Sequence, residues 1–318
     1  MAIFNFFSKT VGIDPGSQHL RLAHQQQVIL NEPAALSLDH KTRDVLGFGN
    51  DTVHIHDGLV IHPIDKVIGD FHAFEYLLRL ALRRGLHEPK WKPITYRMFM
   101  AIPLRTTEVA KRAYRDAAEH AGANRLTLVY QPTCAALGLN LLQEKRDFIL
   151  VDWGASSVMI TVFVDAAPIS YGEVHEGTWA LREALATHLR QHYQITLTRA
   201  EAEAMLCQLP GPGEVFEVKG QKVDTATLYG AFDAILAEIM DKIQLSIEQA
   251  STHPSINQIL ANGLYFTGGG ALLSGMIERL NLPSQLKYTV SQNPLLDCIH
   301  GLMQVMEAPK EFEGYLKT

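Results

Sequence analysis

"KTVGIDPGSQHLRLAH" (residues 9–24) and "RDFILVDWGASSVMITVF" (residues 146–163) decide how this chain folds. Each is a short apolar run that ends in an aspartate, passes a glycine and a small hydroxyl residue, and resumes as a second alternating run. Alternation on both sides of a polar, glycine-containing turn predicts a β-hairpin. The first turn carries Asp14, Gly16 and Ser17; the second carries Asp152, Gly154, Ser156 and Ser157. A single aspartate in a hairpin turn ordinarily bonds its own backbone. Two such hairpins, each opening one half of the chain, predict instead a duplicated α/β domain. The halves meet at the charged stretch "QEKRD" (143–147), which sets expected domains of 1–145 and 146–318.

Composition supports that division. A chain of 318 residues, 47% hydrophobic and 19% charged, buries a large core and by length divides in two. Its net charge of −6 supplies no basic field, so nucleic acid is excluded as the main partner. Cys134, Cys207 and Cys298 lack metal-ligand spacing and are expected to be reduced core residues. Neither a run of eighteen apolar residues nor a leader in "MAIFNFFSK" is present, and the expected location is cytoplasmic.

Helices are expected at three places. The stretch 106–122 starts at a threonine cap and stops at Gly122, with Val109, Ala113, Ala117 and Ala121 on one face. The stretch 178–193 aligns Leu181, Leu185 and Leu189, and a third helix runs from about Leu228 to Ala250. Strands at 96–103 and 125–132 flank the first helix, with Met98 and Met100 in the core. His54 and His56 are expected as solvated residues on a strand, and Arg79, Arg83 and Arg84 as a solvated helix face.

A turn that aims successive backbone N–H groups at one point is an anion nest, and glycine lets phosphate oxygens approach it. Two such turns clamp a polyphosphate. Asp14 and Asp152, at the ends of the preceding strands, are placed to hold Mg²⁺ through water. In "LYFTGGGALLSG" (264–275) three glycines follow a strand, leaving bare backbone on which adenine and ribose can lie.

With these residues in view, "VGIDPGS", the segment 100–141, "ILVDWGASSVMITVF" and "LYFTGGGALLSGMIERL" resemble, in order, the first phosphate loop, connecting segment, second phosphate loop and adenosine motif of the actin and heat-shock-chaperone ATPase superfamily. Within it the chain looks like a divergent MreB-like bacterial actin. "VILNEPAALSLD" and "QNPLLDCIHGLMQVME" extend the likeness to nearly the whole chain. The resemblance implies a duplicated actin-like, ribonuclease-H-like fold: two domains around a nucleotide cleft, each with a small outer subdomain. It also implies ATP and Mg²⁺ as cofactors and self-assembly into filaments. Those filaments would lie at the inner face of the cytoplasmic membrane and serve cell shape or cell-wall synthesis.

Carried over position by position, the resemblance implies that Asp14, Gly16, Ser17, Gln18 and His19 form the first phosphate loop. Gly154, Ala155, Ser156 and Ser157 would form the second, and Gly177, Glu201, Gly268, Gly269, Gly270 and Ala271 would contact the nucleoside. Gln131 and Asp152 take the catalytic places, and Asp14 and Asp152 hold the metal. Several positions depart from the family pattern. Ala155 and Ser156 replace loop glycines; if either site requires positive φ, the added Cβ costs about 1 kcal/mol. Gln131 stands where a glutamate is usual; it orients a water but accepts no proton, which leaves slow hydrolysis open. Thr178 replaces an aspartate, and Ala204 a lysine of the adenine-flanking helix. The outer segments 49–63 and 213–225 are short.

Ile3, Phe4, Phe6 and Phe7, together with Trp91 between two lysines, are expected to form a membrane-inserting patch. A second interpretation keeps the fold but makes the chain a pseudo-ATPase adaptor for membrane or cytoskeletal partners. A sugar kinase or chaperone ATPase is disfavoured, because no substrate-binding domain lies beyond the two halves.

Overall fold

Two mixed sheets of matching strand order organise the chain. The computed structural model describes residues 8–55, 57–65, 67–87 and 95–317. The first half runs β1 (Ser8–Pro15), β2 (His19–His24), β3 (Gln27–Pro33), β4 (Leu36–Asp39), β5 (Val45–Phe48), β6 (Gly58–Ile61), β7 (Ile64–Asp65), β8 (Val67–Ile68), α1 (Phe71–Gly85), β9 (Thr95–Ile102), α2 (Glu108–His120), β10 (Ala123–Tyr130) and α3 (Gln131–Gly138). The second runs β11 (Phe148–Trp153), β12 (Val158–Val164), β13 (Ala167–Val174), α4 (Thr178–Tyr193), α5 (Arg199–Gln208), β14 (Val215–Val218), β15 (Gln221–Asp224), α6 (Thr225–Gly230), α7 (Asp233–Ala250), α8 (Ile256–Asn262), β16 (Leu264–Thr267), α9 (Met276–Arg279) and β17 (Tyr288–Val290). Then come α10 (Asp297–Glu307) and β18 (Leu316–Lys317).

The first sheet has the order β18-β10-β9-β1-β2-β3 and the second β13-β12-β11-β16-β17. In both, an antiparallel three-strand meander is followed by two strands added in parallel beside its first strand. That common order is the duplication announced by the two hairpins. Short sheets, β5-β4-β6 in the first half and β14-β15 in the second, are inserted in the sequence between the meander and the parallel strands of each main sheet.

Each half has its own core. Val11, Ile13, Leu22, Phe74, Leu77, Met98 and Met100 are closed from solvent in the first, and Ile149, Val151, Val162, Leu181, Leu185, Leu189 and Phe266 in the second. The continuous apolar runs of β9 and β11 fit strands covered on both faces.

The compact units differ from the expected domains. The first ends at Asn140 and takes back Leu296 onward; the second spans Leu141–Leu295. The return is physical: α10 packs on α3, with Gln304 donating to the Leu137 carbonyl at 3.1 Å, and β18 pairs with β10.

Other expectations shift locally. In α2, Thr107 is the N-cap as expected, but the buried face is Tyr114, Ala117 and Ala118, while Val109 is 81% exposed. The expected helix from Leu228 is two helices, separated at Ala231 and Phe232. His54 ends a short 3₁₀ helix rather than lying on a strand, and His56 lies outside the described residues. Cys207 is exposed, not core. Arg84 is only partly solvated: it bonds Glu32 at 2.7 Å, pairs with Asp51 and covers the Phe48 ring at 4.0 Å. Among the described residues no helix is long and apolar enough to cross a membrane.

Candidate functional site

The first loop joins β1 to β2 and is pinned from beneath. Asp14, at the penultimate position of β1, is 4% exposed and faces Arg21 of β2 in direct register. The Arg21 guanidinium donates to Asp14 Oδ2 at 3.2 Å, and the Cys298 thiol of α10 donates to Asp14 Oδ1 at 3.4 Å. Gly16 is required by close approach: a Cβ there would stand 2.8 Å from the His19 carbonyl oxygen. The Gln18 carbonyl accepts from the Ala34 amide at 2.9 Å, and the His19 imidazole meets the Asn31 side chain at 3.0 Å. Gln18 and His19 are thus tied to β3 and the residue after it. Ser17 lies in the turn itself, half-buried.

Mg²⁺ does not fit at Asp14. A cation at this carboxylate would stand beside the Arg21 guanidinium, whose Nη1 is 3.2 Å from Oδ2, in a largely dry setting. Among the described residues no group of three or more His, Cys, Asp or Glu side chains is placed to hold a metal.

Gln131 opens α3 immediately after β10, with Pro132 locking the first helical turn. The side chain is half-buried at the strand-to-helix junction, a position suited to orienting a water.

In the second unit, the loop after β11 is held by the start of α4. The Thr178 amide donates to the Gly154 carbonyl at 3.0 Å and the Trp179 amide to that of Ala155 at 2.9 Å. Gly177 makes this contact possible, because a Cβ there would fall 2.5 Å from both carbonyl oxygens. Its role is to seat the loop. Ala155 and Ser156 are not among the residues with positive φ, so the exchanged glycines leave no backbone strain behind. Ser156 is 6% exposed and Ser157 half-buried, and the loop closes on itself through a Gly154 N–H to Ser157 carbonyl bond of 3.0 Å.

The three glycines join this loop from below. Gly268 has φ +82°, and a Cβ there would lie 2.4 Å from the Trp153 carbonyl oxygen and 2.7 Å from Asp152 Oδ1. At Gly270 a Cβ would stand 2.2 Å from the Trp153 indole, which is fully buried in the notch so formed. Gly269 makes only an ordinary contact, and Ala271 is 8% exposed with its amide donating to the Gly268 carbonyl at 3.2 Å. A 3₁₀ turn, Gly269–Leu272, follows where the spacing suggested an immediate helix.

Glu201 serves its own helix. It completes a capping box at the start of α5, accepting from the Thr198 amide at 2.6 Å, and pairs with Lys219 at 2.9 Å. The Thr198 amide first, then Lys219, holds its carboxyl well down, at about 2 against an ordinary 4.5. A depressed carboxyl pKa stabilises the fold above the unfolded value and ceases to do so as pH falls through the folded one. In Glu201→Gln the melting-temperature gap from wild type is therefore expected to be constant above pH 5 and to close between pH 4.5 and about 2. Thermal melts across that range check it.

Arg21, Trp153 and Cys298 escaped the sequence reading, as did a cluster beside Glu201. There the Trp179 ring lies 5.8 Å from the Arg182 guanidinium and 5.1 Å from that of Arg199. Arg182 is 4% exposed and bonded to Glu183 and Glu203. Burial, then neighbouring Arg182, pushes the Arg199 pKa down. The one signal for Arg21 was its place in the hairpin, directly across from Asp14. Ile3, Phe4, Phe6, Phe7 and Trp91 lie outside the described residues.

Known proteins resemble the chain along most of its length. The Escherichia coli K12 cell shape-determining protein MreB is 25% identical, with 95% of this chain and 94% of that protein covered. The Bacillus subtilis cell shape-determining protein Mbl is 23% identical, with 92% and 94% covered. Among solved structures, Spiroplasma citri MreB5 bound to AMPPNP superposes with a TM-score of 0.84 at 19% identity, covering 96% of this chain and 98% of that one. A MamK double helical filament gives 0.77 at 19% identity, covering 94% and 98%. These likenesses make the fold actin-like. The family model described as MreB/Mbl protein matches residues 8–314, and the chain belongs to that family.

Proposed function

We propose that this chain binds ATP at its two hairpin loops and assembles into actin-like filaments that organise cell shape or wall synthesis from the inner face of the cytoplasmic membrane. The observation that carries the reading is the repeated hairpin, with a glycine-floored turn in each compact unit. Relatives support it: MreB5 was solved with AMPPNP and with ADP, and MamK as a double helical filament. Loop amides and the hydroxyls of Ser17, Ser156 and Ser157 would bind phosphate, and the backbone at Gly269 would receive the nucleoside, with Gly268 seating it against the second loop. Gln131 would orient the attacking water without taking its proton, so turnover is slow. Glu201 is committed to its cap and would act only by positioning α5. Membrane contact rests on the sequence of Ile3, Phe4, Phe6, Phe7 and Trp91.

A static adaptor with the same fold is the second reading, favoured by Gln131 and by the engaged carboxylate of Asp14. Electron microscopy of the purified chain on lipid, with and without ATP, separates them. ATP-dependent filaments are expected; particles that bind lipid but ignore nucleotide would establish the adaptor.

A further inference from the structure

We infer that Arg21 takes the place of a divalent cation at the first phosphate loop, so that the chain binds nucleoside triphosphate without metal. The inference rests on the nucleotide reading above and specifies how its first loop works. A carboxylate next to a polyphosphate repels it unless a positive charge stands between them. Here that charge is built into the fold. Arg21 is the direct cross-strand partner of Asp14, its Nη1 is 3.2 Å from Oδ2, and the two side chains are 12% and 5% exposed. Such a pair is little screened by salt and keeps its geometry.

The same nitrogen also reaches the loop. Nη1 lies 3.9 Å from where a Cβ on Gly16 would stand, so the guanidinium borders the space that the loop glycine keeps open. Arg21 Nε is closed from solvent and has no hydrogen-bond partner among the described residues. Nη1 answers Asp14 and borders the loop at once, and the guanidinium is a planar group whose geometry matches phosphate oxygens. A metal ion held by the same carboxylate would be forced against this guanidinium. Arg21 and a divalent cation are therefore alternatives at this place.

Isothermal titration of the full chain with ATP, in Mg²⁺ and in EDTA, tests this. Wild type is expected to change affinity by less than about 3-fold when metal is removed. Arg21→Met is expected to lose about 10-fold or more in EDTA, the worth of one or two charge-assisted hydrogen bonds, and to recover most of it in Mg²⁺, which now has access to Asp14. Arg21→Lys should keep metal-independent binding at intermediate strength, and it serves as the folded control should the methionine variant melt early. Wild type that binds in Mg²⁺ but not in EDTA overturns the inference and leaves the nucleotide reading standing. So does an Arg21→Met chain with unaltered affinity in EDTA, which would make Arg21 a staple of the hairpin alone. Wild type that binds ATP in neither solution removes the nucleotide reading, and the inference with it.

Discussion

Gly301→Ala is expected to lower stability by about 3 kcal/mol, or on the order of 6–12 °C in melting temperature for a unit of this size. The reason is the crossing of α3 and α10. A Cβ on Gly301 would stand 1.8 Å from the Cys134 carbonyl oxygen and 2.7 Å from the Gly138 amide nitrogen. Across the same crossing, a Cβ on Gly138 would stand 2.1 Å from the Asp297 carbonyl oxygen. Both obstacles are backbone, so no side chain can swing aside and the helices must part. Parting them disturbs the first half of the site, because α3 begins at Gln131 and α10 carries the thiol that bonds Asp14. Gly230→Ala is the control, since among the described residues nothing lies within 4 Å of its Cβ position. Calorimetric melts of the two variants decide the matter. A loss at Gly301 no greater than at Gly230 would mean that the helices do not meet in this way.

Local pattern made half of this architecture legible and hid the other half. The two hairpins were readable because alternation and a Gly-containing turn act within a few residues, and β1–β2 and β11–β12 pair across those turns. The α4 face of Leu181, Leu185 and Leu189 was readable for the same reason. In α2 the apolar identity of Val109 outweighed its place in the period; the buried face belongs to Tyr114 and small alanines, which let the helix lie close to its neighbours. The second unit's end at Leu295 depends on contacts between α3 and α10, more than a hundred and fifty residues apart, and no local spacing records them. In the site, aspartates and glycines announced the loops, while their supports did not announce themselves. Trp153 reads as an arbitrary residue between Asp152 and Gly154 until Gly270 is seen to make room for its indole. Arg21 reads as one more polar residue on an exposed face until strand register sets it against Asp14.

Ala155 and Gly177 show how a backbone position, rather than a motif letter, limits the second loop. Gly177→Val is expected to weaken ATP binding about 10-fold or more while costing stability only about 1–2 kcal/mol. Its Cβ would fall 2.5 Å from the carbonyl oxygens of Gly154 and Ala155, the very atoms that accept from the first two amides of α4. Relief requires the loop to swing off the helix, and the amides that the nucleotide reading aims at phosphate swing with it. Stability suffers less, because α4 keeps Leu181, Leu185 and Leu189 in the core. Ala155→Gly restores the residue usual at that place yet is expected to change affinity by less than about 3-fold, since Ala155 is not at positive φ and gains no conformation it lacked. Titration calorimetry with thermal melts distinguishes the two effects. A large gain from Ala155→Gly, with little loss from Gly177→Val, would mean that a Cβ on the loop obstructs the phosphate and that its seat on α4 is incidental.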